Sequence, residues 1–237
     1  MRKSRVAGLL FLATAALAQH QQAVEITSEP SHHLVLQNEY VRVFDVTVAP
    51  RATTLVHKHN YDYLFVTLGD SDVVSVRPGE KPVALKLKDG EVRYTPGNFA
   101  HAAINQSDRP FHNITIELLK PSTNVKTCTG SCDAGATTHL ISADQWTVSL
   151  VSLPPNATLK RASGGPSLLV AVSKLDLVVA VPMQKLAEQS DGDVGPFKRA
   201  SGGFDWIPAG RQEMMHNGAS EAAQFVTLEF KQEQQKQ

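Results

Sequence analysis

The residues in this chain best suited to chemistry are histidines, of which there are nine. Three stand in a relation that a metal ion would require. His57 and His59 are two apart in HKH. On a β-strand, residues i and i+2 share a face, so both imidazoles can converge on one cation. Asp62 follows after Asn60-Tyr61, close enough to come round a turn beside them. His101 comes later in the chain, just past the turn signal Pro96-Gly97-Asn98. Three imidazoles and one carboxylate, with room left for water or substrate, suit one divalent Fe, Mn, Ni, Cu or Zn ion. Tyr63, next to Asp62, competes for the fourth position. Two plainer readings stand beside this one: a polar interior lining for the three histidines, and a turn carboxylate for Asp62. His32, His33, His112 and His139 read as solvated singletons near strand ends.

Strands must position such a set. Val41, Val43, Val46 and Val48 alternate around polar residues, and 63–68 is rich in β-branched and aromatic side chains. Further short runs lie at 72–76, 83–87, 91–94 and 114–118. They are separated by Arg77-Pro78-Gly79, Lys88-Asp89-Gly90 and Pro96-Gly97-Asn98. Short strands so punctuated indicate an all-β sandwich or barrel. A helical period is suggested only at 181–189.

The chain also repeats itself. Pro50 laid over Pro155 aligns 50–76 with 155–181 without a gap, and seven of the 27 pairs are identical. Pro96 laid over Pro208 brings Gly90 onto Gly202, Tyr94 onto Trp206, Asn105 onto Asn217 and TIEL onto TLEF. Two tandem copies of one fold follow. Under this alignment His57 becomes Ala162, His59 becomes Gly164 and His101 becomes Glu213. The second copy is thus expected to keep its turn residues Pro208, Gly210 and Asn217 while losing the metal site. Glu213 is expected to be partly solvated.

The first residues form a separate unit. Arg2, Lys3 and Arg5 precede an uncharged apolar run over 6–17, and Ala16-Leu17-Ala18 fits a cleavage site before Gln19. This is the pattern of a secretory signal peptide, and the apolar run is too short to span a bilayer, which takes ~20 residues. The full chain has 23 basic and 23 acidic residues. Without Arg2, Lys3 and Arg5 the net charge becomes −3, which argues against a nucleic-acid partner. An exported protein meets an oxidising compartment, and Cys128 and Cys132, the two cysteines, suit a local disulfide. Two free thiols or half of a metal site are the alternatives.

Two stretches carry a family resemblance. HKHNYDYLFVTLG (57–69) resembles the first cupin motif, with Asp62 in the acidic position set by counting back from Gly69. GEVRYTPGNFAHAAIN (90–105) resembles the second, with Gly90, Pro96, His101 and Asn105 at the family spacing. Three departures mark the match: Asp replaces the usual Glu, the gap after His59 is shortened, and Asn98 replaces a Gly, a residue that tolerates positive φ. The resemblance covers nearly all of the chain after the signal. It implies two tandem double-stranded β-helix (jelly-roll) barrels, a bicupin, with a metal inside the first. The expected organisation is a signal peptide over 1–18, an N-terminal metal-binding barrel over 19–120, a linker over 121–138, a degenerate barrel over 139–231 and a polar tail over 232–237. The resemblance further implies an exported, periplasmic or extracellular protein. It would be a metal-dependent enzyme of the dioxygenase or isomerase kind acting on a small molecule, or else a non-catalytic binding or structural bicupin. A homodimer through barrel faces is also implied, and no stable membrane insertion.

Overall fold

A computed structural model describes residues 22–128, 133–181 and 194–232. The expected signal peptide over 1–18, Cys132 and, apart from Val181, the suggested helical stretch lie outside them. Their first half holds strands β1 (Val24–Glu25), β2 (His32–Gln37), β3 (Val41–Val48), β4 (His57–His59), β5 (Tyr63–Leu68), β6 (Ser71–Val76), β7 (Val83–Leu87), β8 (Val92–Thr95), β9 (Phe99–Asn105) and β10 (Phe111–Leu118). Their second half holds β11 (Lys126–Thr127), β12 (Asp133–Ala134), β13 (Thr137–Ser142), β14 (Trp146–Leu153), β15 (Thr158–Ala162), β16 (Ser167–Ala171), β17 (Leu175–Ala180), β18 (Val194–Arg199), β19 (Phe204–Ile207), β20 (Gln212–Asn217) and β21 (Ala223–Phe230). The all-β expectation holds: each half is a jelly-roll barrel of two facing sheets. In the first they run β1-β4-β9-β6-β7 and β2-β3-β10-β5-β8; in the second, β11-β13-β14-β21-β16-β19 and β15-β20-β17-β18. Part of the expected linker is woven into the second barrel, since β11 and β12 both pair with β13. No helix among the described residues is long and apolar enough to cross a membrane.

In the sheet β2-β3-β10-β5-β8 the central strands β3, β10 and β5 are buried on both faces, which explains why they read as dense apolar runs. Alternation divides the labour. Phe44, Val46, Val48 and Phe111 point into the barrel. Val41, Val43, Leu64, Val66, Ile114 and Ile116 point outward and form one core with Trp146, Val148, Leu168, Val170, Val226 and Leu228 of the second barrel. Full burial of each such aliphatic side chain contributes about 1.5–3 kcal/mol. The second barrel's own interior is filled by Val151, Leu169, Leu175, Leu177, Met215 and Phe225.

The interface is two-fold in character. A Cβ on Gly90 would lie 3.1 Å from Val172, and one on Gly202 would lie 3.0 Å from Leu68. Both glycines have positive φ, and each faces the other barrel at the equivalent place. Tyr94 packs on Trp146 with ring centroids 5.8 Å apart, and Trp206 packs on Tyr40 at 5.5 Å. Like a symmetric dimer interface, the contact is made of the same patch twice.

The ladders correct the register of the repeat. His57 lies opposite His101, and Arg161 lies opposite Glu213. Leu64 and Leu168 hold matching positions against Ile116 and Leu228. From β4 and β15 onward the true correspondence is therefore one residue shorter than the gapless alignment, because the connection entering β4 is one residue longer. The counterpart of His57 is Arg161, not Ala162, and that of His59 is Ser163, not Gly164.

Replacing Trp146 tests the joint between the barrels. Trp146 is fully buried in the shared core, so Trp146→Ala is expected to lower unfolding free energy by about 3–5 kcal/mol. A single cooperative denaturation transition would report that the barrels still stand or fall together; no loss of stability would refute the shared core.

Candidate metal centre

The strand β4 is three residues long, and its pattern places His57 and His59 inward and Lys58 outward. Both histidines are 1% exposed. The antiparallel partner β9 sets His101 directly across from His57. Ring centroids of His57 and His101 are 4.6 Å apart, and Nε2 of His59 lies 3.2 Å from Nε2 of His101. Two nitrogens each about 2.0–2.1 Å from one ion, at tetrahedral or octahedral angles, stand about 2.8–3.4 Å apart. The observed separation therefore fits two ligands of one cation.

A fourth imidazole joins them. His32 at the start of β2 is buried, contrary to the expectation of a solvated singleton. Its ring centroid is 4.5 Å from that of His57 and 6.4 Å from that of His59. Ring nitrogens of His32, His57 and His59 lie within 4.8 Å of one another. Glu29 holds His32 in place: its Oε2 sits 2.6 Å from Nδ1. The same carboxylate accepts the Ser31 and Leu55 N–H groups, tying the entry to β2 to the loop before His57. Burial acts to raise the Glu29 pKa, but His32 and these backbone donors outweigh it and hold the carboxyl below its usual range.

Hydrogen bonds orient the other rings. His57 Nδ1–H donates to the Leu55 carbonyl at 2.9 Å, which leaves Nε2 as the lone-pair atom. That Nε2 is buried without a partner, as is His59 Nδ1. His101 Nδ1 is held by Ser75 Oγ at 2.9 Å. Such outer contacts fix ring orientation at metal sites. Burial, reinforced by the neighbouring imidazoles, pushes His57 down to about 4 and His101 down to about 3, and His59 lower still. At neutral pH these rings are uncharged lone-pair donors, the form that a cation needs. The donor set, the orphaned Nε2 of His57 and the spacing all fit a divalent ion.

Asp62 is placed apart from this group. Its Oδ2 accepts the Tyr94 hydroxyl at 2.5 Å and its Oδ1 accepts the Gly97 N–H at 2.9 Å. Asp62 does not line the cavity. Both oxygens are committed to joining two turns. Gly97 is needed there because a Cβ would lie 2.4 Å from the Tyr61 carbonyl carbon. Asn98 has φ 61°, the positive value that the sequence suggested, and its N–H donates to the His59 carbonyl at 2.7 Å. Tyr63 stacks flat on His59 with centroids 4.1 Å apart. Burial raises its phenol to about 12, so it is a neutral wall rather than a phenolate. Neither candidate for the fourth position joins the converging nitrogens; His32 does.

Glu117 is another group the sequence did not single out. It is fully buried on the inner face of β10, with Oε2 2.5 Å from Arg42 Nη2 and Oε1 3.9 Å from His59 Nδ1. Burial raises its pKa while Arg42 opposes the rise.

The histidines border a cavity of about 420 Å³. Its walls are apolar, with Val46, Val48, Phe65, Val73 and Phe111 among them, and Arg77 stands close to His101 and Tyr63. In the second barrel the corresponding place holds charge, beside a cavity of about 250 Å³ that Arg211 and Glu213 line. Arg161 Nη1 meets Glu213 Oε1 at 3.0 Å, and Arg211 Nε meets Glu213 Oε2 at 3.3 Å. Glu213 is 4% exposed, so it is a buried ion-pair member rather than a partly solvated group. A His–His pair in one barrel is replaced by an Arg–Glu pair in the other.

No family model matches the sequence, and no curated protein does. The fold does match solved structures. AerE from Microcystis aeruginosa aligns with a TM-score of 0.57 at 9% identity, over 86% of this chain and 99% of that one. A cupin 2 conserved barrel domain protein from Leptotrichia buccalis gives 0.53 at 10% identity, over 84% and 88%. Oxalate decarboxylase from Bacillus subtilis, described with Mn(II) centres, gives 0.56 at 12% identity, over 83% and 70%.

Two outcomes are expected. A group whose folded pKa is depressed loses its stabilising contribution as pH falls. Between the unfolded imidazole value near about 6.5 and the folded value, the unfolded chain binds more protons. The metal-free protein should thus lose stability steadily from about pH 6.5 down to about 4, the folded value of His57. Flat denaturation midpoints across that window would contradict neutral buried histidines. Separately, Glu213→Gln should leave Arg161 buried without its partner and cost about 3 kcal/mol in chemical denaturation, with metal content unchanged. The chain with these two barrels has the cupin fold.

Proposed function

We propose that this protein is an exported bicupin whose first barrel binds one divalent metal ion and acts on a small molecule as a metal-dependent enzyme of the dioxygenase or isomerase kind. The observation that carries the metal is the buried, partnerless Nε2 of His57 beside the 3.2 Å approach of His59 and His101. His32, His57, His59 and His101 would hold the ion. An ion there would supply Lewis-acid polarisation of an oxygen-bearing substrate or, as iron, oxygen activation. The Leu55 carbonyl and Ser75 keep ring nitrogens aimed into the cavity, and Glu29 anchors His32. Export is supported by the charged and apolar N-terminal pattern and by Cys128, which is disulfide-bonded. A non-catalytic binding or structural role is the second reading. It is favoured by the state of two buried groups beside His59: burial raises the Tyr63 phenol to about 12, and Glu117 is held by Arg42.

Elemental analysis of protein purified without chelator decides the first step. One ion per chain is expected in the wild type, none in His57→Ala or His101→Ala, and a loss of affinity of about tenfold or more in His32→Ala. Asp62→Ala should keep the metal and lower stability instead. Retention of full metal by both His57→Ala and His101→Ala would remove the site. Substrate-dependent O₂ uptake by the iron form supports the enzyme; tight ligand binding without turnover supports the second reading.

A further inference from the structure

Arg77 lines the cavity without an ion pair among the described residues. Arg77 sits at the end of β6, and its guanidinium lies over the Phe99 ring at 3.8 Å from the centroid. It lines the same cavity as His101 and Tyr63. No hydrogen bond or ion pair holds it among the described residues. Three other charged groups near the cavity are paired: Arg93 with Glu91 at 2.7 Å, Arg42 with Glu117 at 2.5 Å, and Glu29 with His32 at 2.6 Å. Glu80 and Lys81, on the exposed turn after Arg77, also line the cavity, one charge of each sign.

A guanidinium stacked on a ring uses its face and leaves the N–H groups on its edge unspent. Those donors form a planar fork that matches a carboxylate through two parallel hydrogen bonds. The facing walls are apolar and suit a hydrocarbon or aryl body. We propose that Arg77 anchors a carboxylate group of the substrate, and that the cavity takes a small carboxylic acid with an apolar body. This rests on the reading of the cavity as the substrate site. The planar fork matches the two oxygens of a carboxylate, and Glu80 in the same lining opposes the added negative charge of a phosphate.

Calorimetric titration of the metal-loaded full-length mature protein tests this, with benzoate and its neutral isostere benzamide as probes. Wild type is expected to bind benzoate about tenfold more tightly than benzamide. Arg77→Met should weaken benzoate by about tenfold, erase the preference, and leave metal content and melting temperature unchanged. Arg77→Lys keeps the charge without the fork and should fall between. Equal affinity of wild type for the two probes, no benzoate binding, or undiminished benzoate binding by Arg77→Met would overturn the proposal. So would a preference for phenyl phosphate over benzoate. If wild type holds no metal yet binds benzoate in an Arg77-dependent way, the metal reading falls and the carboxylate anchor stands.

Discussion

Four imidazoles packed against one another inside a barrel cannot all be charged, and not all of their nitrogens find partners. Burial and mutual repulsion drive His57, His59 and His101 to the neutral form. Neutral rings then present lone pairs, and two buried nitrogens are left without a partner. Each such group costs about 1–3 kcal/mol in an apolar interior. A cation relieves that cost at His57 Nε2, while His59, offering Nε2, keeps its Nδ1 toward Glu117 at 3.9 Å. The hydrogen bonds to the Leu55 carbonyl, Ser75 and Glu29 make sense as devices that decide which nitrogen of each ring is offered.

The second barrel shows the same constraint resolved without an ion. At the ladder position of His57 and His101 it places Arg161 and Glu213, which neutralise each other. That barrel packs its interior with aliphatic side chains and lends its outer face to the first. The sheet β2-β3-β10-β5-β8 thereby carries the site on one side and the barrel–barrel core on the other. Its rigidity comes from being buried twice. The paired approaches of Gly90 and Gly202 to the opposite barrel mark an interface built as if from two copies of one molecule.

Much of this was legible in the sequence. The HKH spacing gave the shared face, and the PGN turn gave the position of His101. The short β-branched runs gave strands 63–68 and 83–87 as they stand. What escaped reading depends on long-range packing. His32 lies in a strand whose other residues are mostly exposed, so no alternation marks it as buried; the acid three residues earlier, Glu29, was the available sign. Asp62 matched a motif position, yet the close approach at Gly97 turned its carboxylate to a structural use. The single extra residue before His57 is invisible to a gapless comparison and shifted the second copy's register by one. Arg77 could not be recognised because its meaning lies in having no partner.

X-ray absorption at the edge of the bound metal tests the central claim most directly. The account predicts a first shell dominated by nitrogen at about 2.0–2.1 Å, with the outer-shell scattering of three or four imidazole rings that His32→Ala reduces by one. A first shell of oxygen alone, or scattering from fewer than two imidazoles, would contradict it.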